Sequence, residues 1–209
     1  MGAGLWLACA WGASAGGGPQ NVLVVINDAS PVSREVGLTY ARGRGIDQRQ
    51  ILHLTNSATL NLPLVDFSNS VRNVILNYLA ASGLSNQVDY VVFAPDFPYR
   101  IYDGSFGNLR HAGLTSTLFY DFYSSPSAFT TGCQIASGSS NAYYAAERAF
   151  ARAESPGGRY LLAALLQGWH GDEARRLVQR ARAADGSLPT GRTYLVHTTD
   201  AARSVRWKD

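Results

Sequence analysis

The residues that could do chemistry stand directly behind short apolar runs. Asn27, Asp28, Ser30 and Ser33 follow residues 22–26, Asn56 and Ser57 follow 51–54, Asp96 and Arg100 follow 90–94, His170 and Asp172 follow 160–166, and His197, Thr198, Thr199 and Asp200 follow 193–196. Carboxylate, hydroxyl and imidazole groups gathered from such positions suit acid–base chemistry, and Arg100 would suit a carboxylate or phosphate. Cys133, paired with His111 or His170, is a possible nucleophile.

Each residue also has a structural use. Ser30 and Asp172 stand where helix caps are wanted, Arg100 could pair with Asp96 or Asp103, and His197 could be a hydrogen-bonded core histidine. Cys133 could be a buried thiol in a loop rich in glycine and serine. No G-x-S-x-G, H-E-x-x-H, C-x-x-C or post-strand G-x-G-x-x-G occurs. The four histidines are widely spread, so neither a metal nor a cofactor is expected. Of the 18 basic residues only Lys208 is lysine, which removes lysine-based phosphate loops and Schiff bases.

The elements that would position these groups alternate. Residues 22–26 (VLVVI) form a continuous apolar strand of the kind buried on both faces of a parallel sheet. Ser30-Pro31 then opens a helix with Val32, Val36 and Tyr40 at spacing four, stopped by Gly43 and Gly45. Residues 51–54 are a second strand; Asp66 or Ser68 opens a helix with Val71, Val74, Ile75, Tyr78 and Leu79 on one face. A third strand spans 90–94 and ends in a loop with Pro95 and Pro98 that carries Asp96, Arg100 and Asp103. An irregular insertion rich in glycine, serine and aromatics covers about 105–140. An alanine-rich helix at 142–153, a fourth strand at 160–166, a helix at 172–184 with Ala174, Leu177, Val178 and Ala181 on one face, and a fifth strand at 193–196 complete the series. The expected fold is α/β: a doubly wound, mostly parallel five-stranded sheet flanked by helices, whose ligands would lie beyond the strand carboxyl ends.

Residues 1–15 are short and apolar and end in Ala13-Ser14-Ala15, so 1–19 read as a signal peptide with a flexible leader, and 20–209 as one domain exported to the periplasm or beyond. No later stretch is long and apolar enough to span a membrane. Residues 1–145 carry 7 basic against 8 acidic residues (−1) and 146–209 carry 11 against 7 (+4), matching the net +3. The arginines of the last helix, 175, 176, 180 and 182, lack aromatic platforms, so nucleic acid is not the expected partner.

Three blocks, NVLVVINDASPVSREVGLTYARGRGI, VDYVVFAPDFPYRI and YLLAALLQGWHGDEARRLVQRARAADGSLPTGRTYLVHTTDAARSVRW, resemble an uncharacterised bacterial family of exported α/β proteins. That resemblance implies fold and export but no activity, and it implies a chain continuing past Trp207, so that this one would be shortened. A looser similarity links the chain to caspase- and gingipain-like cysteine peptidases. Their His-Gly precedes the nucleophilic cysteine, whereas His170-Gly171 follows Cys133. Two functions follow as expectations: a non-catalytic binding or structural domain using the strand carboxyl ends, with an unknown ligand or protein partner, or a divergent hydrolase using the same loops.

Overall fold

The computed structural model describes residues 18–56, 59–103, 110–120, 150, 152 and 160–184. Strands β1 (Val22–Asn27), β2 (Ile51–Leu54), β4 (Tyr90–Phe93) and β7 (Leu162–Leu165) form a sheet in the order β2-β1-β4-β7. Every pairing in it is parallel, with Val24 opposite both Ile51 and Val92, and Val92 opposite Ala164. The expected parallelism of the strands near Val22, Tyr90 and Tyr160 is therefore present. The fifth strand at 193–196 lies outside the described residues.

Because successive side chains of a strand point to opposite faces, β1 feeds two cores. Leu23 and Val25 join Phe67, Val71, Ile75, Leu79, Val91 and Phe93 on one face, and Val24 and Ile26 join Val36, Tyr40, Val92, Ala174 and Val178 on the other. Helices α1 (Pro31–Arg44) and α5 (Gly171–Ala183) thus cover the second face, while α3 (Asn73–Ala81) and α4 (Leu114–Tyr120) cover the first. Helix α1 begins as its sequence requires: the Ser30 side chain accepts from the Ser33 amide at 3.0 Å, Pro31 occupies the first turn, and Gly45 closes the helix at φ +64°.

At Gly37, α1 comes closest to the sheet. A Cβ there would stand 2.7 Å from Ile26 Cγ1 and 3.1 Å from Ala94 Cβ. Gly37→Val should therefore push the helix off β1 and destabilise the fold by about 1–3 kcal/mol. Urea denaturation will check this, and Ile26→Ala in the same chain should recover part of the loss.

Four sequence expectations are corrected. The helix expected to open at Asp66 or Ser68 starts at Leu64, with α2 (Leu64–Phe67) running through a π turn (Ser68–Arg72) into α3. Its apolar face is as read, with Val71, Ile75 and Leu79 fully buried. The loop expected to carry Arg100 and Asp103 is instead strand β5 (Arg100–Asp103), which pairs in parallel with β3 (Asn61–Pro63) and antiparallel with β6 (Arg110–Gly113) in a second sheet. Part of the insertion expected to be irregular is thereby regular, since β6 and α4 fall inside it. Strands of three or four residues are too short to show an alternating pattern, which is why they escaped notice. On α5, Ala174 and Val178 are buried as read, but Leu177 is 41% exposed.

Candidate functional site

The chain leaves β1 toward α1 on one face of the sheet and leaves β4 toward α4 on the other. Adjacent parallel strands whose connections part in this way open a crevice at their carboxyl ends. Its walls are the loop at 27–30 and the turn at 94–98.

Asn27, fully buried as the last residue of β1, organises both walls. Its Nδ2 donates to the Asp96 carbonyl at 2.8 Å, and its Oδ1 accepts from the amides of Ala29 and Asn56, each at 3.1 Å. The Asn27 amide donates to Ser33 Oγ at 2.9 Å. Ser30 Oγ caps α1 and donates to Asp96 Oδ2 at 2.5 Å. Asp96, held at both its carbonyl and its carboxylate, is the only described non-glycine residue with positive φ, 65°. Aspartate tolerates this left-handed conformation better than most residues, and such strain persists where surrounding bonds over-determine it.

The second carboxylate of the crevice is Asp28. Its Oδ1 lies 2.7 Å from His53 Nδ1, its amide donates to the Leu54 carbonyl at 2.8 Å, and its own carbonyl accepts from Arg34 Nη1. A carboxylate accepts, so Nδ1 carries the proton of that bond and Nε2 is left to act on something else. Asn56 is buried, and among the described residues its Nδ2 is the one buried side-chain polar atom without a partner. The rim continues through the loop before α5: a Cβ on Gly171 would stand 3.1 Å from Val32 Cγ1, two residues beyond Ser30. Trp169 on that loop is 88% exposed, and its amide donates to Glu173 Oε2 at 2.7 Å.

Of the residues expected at the site, Asp28, Ser30, Ser33 and Asp96 converge through these bonds. Arg100 makes its contacts in the second sheet: Nε donates to Asn61 Oδ1 at 2.6 Å and the guanidinium lies 5.9 Å from the Tyr99 ring centroid. His170 occupies the N-cap position of α5 without a side-chain bond. Asp172, expected as a cap, stands in the first turn of α5 and pairs with Arg175, whose hydrogen bond holds its carboxyl below the usual aspartate range. Cys133 and His197 lie outside the described residues. Asn27, expected in the loop after the first strand, is its last residue and joins the residues that converge, whereas His53 is a residue of the crevice that the sequence does not single out. A histidine between Leu52 and Leu54 in an otherwise apolar strand was the available signal for His53.

No protein-family model, curated protein or solved structure matches the chain. Among the described residues no group of three or more His, Cys, Asp or Glu side chains is placed to hold a metal ion, and no helix is long and apolar enough to cross a membrane.

Proposed function

We propose that the chain is an exported, non-catalytic binding domain of doubly wound α/β type that takes a small, hydroxyl-rich ligand between the β1 and β4 loops. The observation that carries this reading is Asp96, turned left-handed and pinned from β1 by Asn27 and Ser30. Bonds that fix a solvent-exposed carboxylate so fully prepare it to accept hydrogen bonds from something else. With Asp28 beside His53, the crevice presents chiefly acceptors, which favours a donor-rich ligand over the anion that Arg100 would have suited. Exposed Trp169 on the same edge offers an apolar face of the kind on which a sugar ring stacks.

The test is isothermal titration of the full chain with a panel of mono- and disaccharides. One or more should bind, and Asp96→Asn, which keeps the left-handed turn but halves the acceptor capacity, should weaken that binding roughly ten- to a hundredfold if the carboxylate makes a charge-assisted bond. No binding across the panel, or equal affinity in the variant, would defeat the assignment.

A second reading rests on His53 alone. A carboxylate-oriented imidazole with Nε2 outward is the arrangement of a general base, and it is the observation that favours a hydrolase. Hydrolysis of p-nitrophenyl esters or glycosides by the wild type, abolished by His53→Gln with the fold intact, would establish that reading in place of the first.

A further inference from the structure

Helices α1 and α5 lie side by side and run the same way: Arg175 Nη1 reaches Glu35 Oε2 at 2.7 Å near their starts, and a Cβ on Gly43 would stand 3.4 Å from Arg182 Cδ near their ends. Their carboxylates are confined to one end of this shared axis, although Arg34, Arg175 and Arg176 stand at that end too. The acids Glu35, Asp172 and Glu173 all fall in the first halves, and each is engaged, the first two by Arg175 and the third by the Trp169 amide. The second halves carry Arg42, Arg44, Arg180 and Arg182 and no carboxylate. Asp47, the next acid beyond α1, is taken up by capping the turn at Gln48–Gln50 and by Arg49.

Helix capping does not account for this concentration. Two of the last carbonyls of each helix are already met by backbone amides, those of Ala41 and Arg42 by Gly45 and those of Arg180 and Arg182 by Ala184. Arginine at a helix end gains from the dipole, but that effect favours cations near each terminus without requiring four at one end of the helix pair.

We propose that the joined carboxyl ends of α1 and α5 are a docking face for an anionic phospholipid surface. The face lies at the opposite edge of the sheet from the crevice, so a membrane-attached domain would hold its ligand site outward. Arg42, Arg180 and Arg182 are exposed, and a guanidinium matches phosphate bidentately. Stereospecific protein interfaces are built around an apolar core, whereas the large apolar side chain exposed on these two helices is Leu177 alone. A single-stranded nucleic acid would want aromatic platforms; among the described residues the aromatic ring carried by these two helices, Tyr40, is buried and already lies under Arg44, 5.5 Å from its guanidinium carbon. A sheet of phosphate headgroups needs neither apolar core nor ring, only several cations on one exposed face.

The experiment is co-sedimentation of the full chain with vesicles of phosphatidylcholine alone and of phosphatidylcholine mixed equally with phosphatidylglycerol, at low and high salt. The chain should bind only the anionic vesicles and be released by salt. Removing two arginines of the face in Arg180→Gln/Arg182→Gln should weaken binding roughly thirtyfold. The pair Arg72→Gln/Arg100→Gln, equal in charge but set on the other face of the protein, should weaken it less than about threefold, as screened charges away from the contact do. Circular dichroism confirms that both variants are folded. No binding to anionic vesicles, equal loss in the two pairs, or tighter binding to a duplex DNA oligonucleotide than to the vesicles would overturn the assignment.

Discussion

Asn27→Leu should destabilise the protein more than any other single change in the crevice, by roughly 3–5 kcal/mol in urea denaturation. The size follows from what the side chain satisfies. Replacing the amide leaves the Asp96 carbonyl and the amides of Ala29 and Asn56 without their partner, and an unmet buried polar group costs about 1–3 kcal/mol. Leucine is close in volume, so the loss reports hydrogen bonding and not a cavity. Asn27→Asp separates the contributions: it keeps an acceptor for Ala29 and Asn56, loses the donor to Asp96, and sets a second carboxylate beside it. A loss below about 1 kcal/mol in Asn27→Leu would mean that the two walls are held by other contacts.

Phe93→Ala should cost about 3–5 kcal/mol, the range for an aromatic truncated in a close-packed core. Phe93 is fully buried in β4, and its ring meets Phe97 edge-on with centroids 5.1 Å apart. Phe97 belongs to the turn at 94–98 and packs in the same core cluster, so the substitution should disturb the Asp96 turn as well as the core. Phe93→Leu should recover about half of the loss, since it refills most of the volume without the edge-to-face contact. Chemical denaturation of the two variants in parallel checks both statements.

The strands of the main sheet were legible because residues 22–26 and 90–94 are continuous apolar runs that only a doubly covered strand can bury. Helix α1 was legible at both ends, because Ser30-Pro31 and Gly45 each solve a backbone problem peculiar to a helix terminus. The second sheet was not, because Arg100–Asp103 pairs with Asn61–Pro63 across 39 residues and its side chains show no pattern of their own. The same reason separates Arg100 from the crevice: it follows β4 in the chain but belongs to another strand in space. Asp96 was named as a candidate, yet its left-handed backbone depends on Asn27, 69 residues away, and no local pattern announces such a bond. His53 and Asp28 are likewise joined only by the lateral pairing of β1 and β2.

Backbone amide mapping by NMR, on adding the tightest-binding sugar of the panel to the isotopically labelled full chain, tests the central assignment most directly. The crevice reading predicts the largest shift changes at the amides of Ala29, Ser33, Asn56 and Asp96 and at the Trp169 indole, all reduced in Asp96→Asn. Changes confined to α3 or the second sheet, or persisting undiminished in that variant, would contradict it.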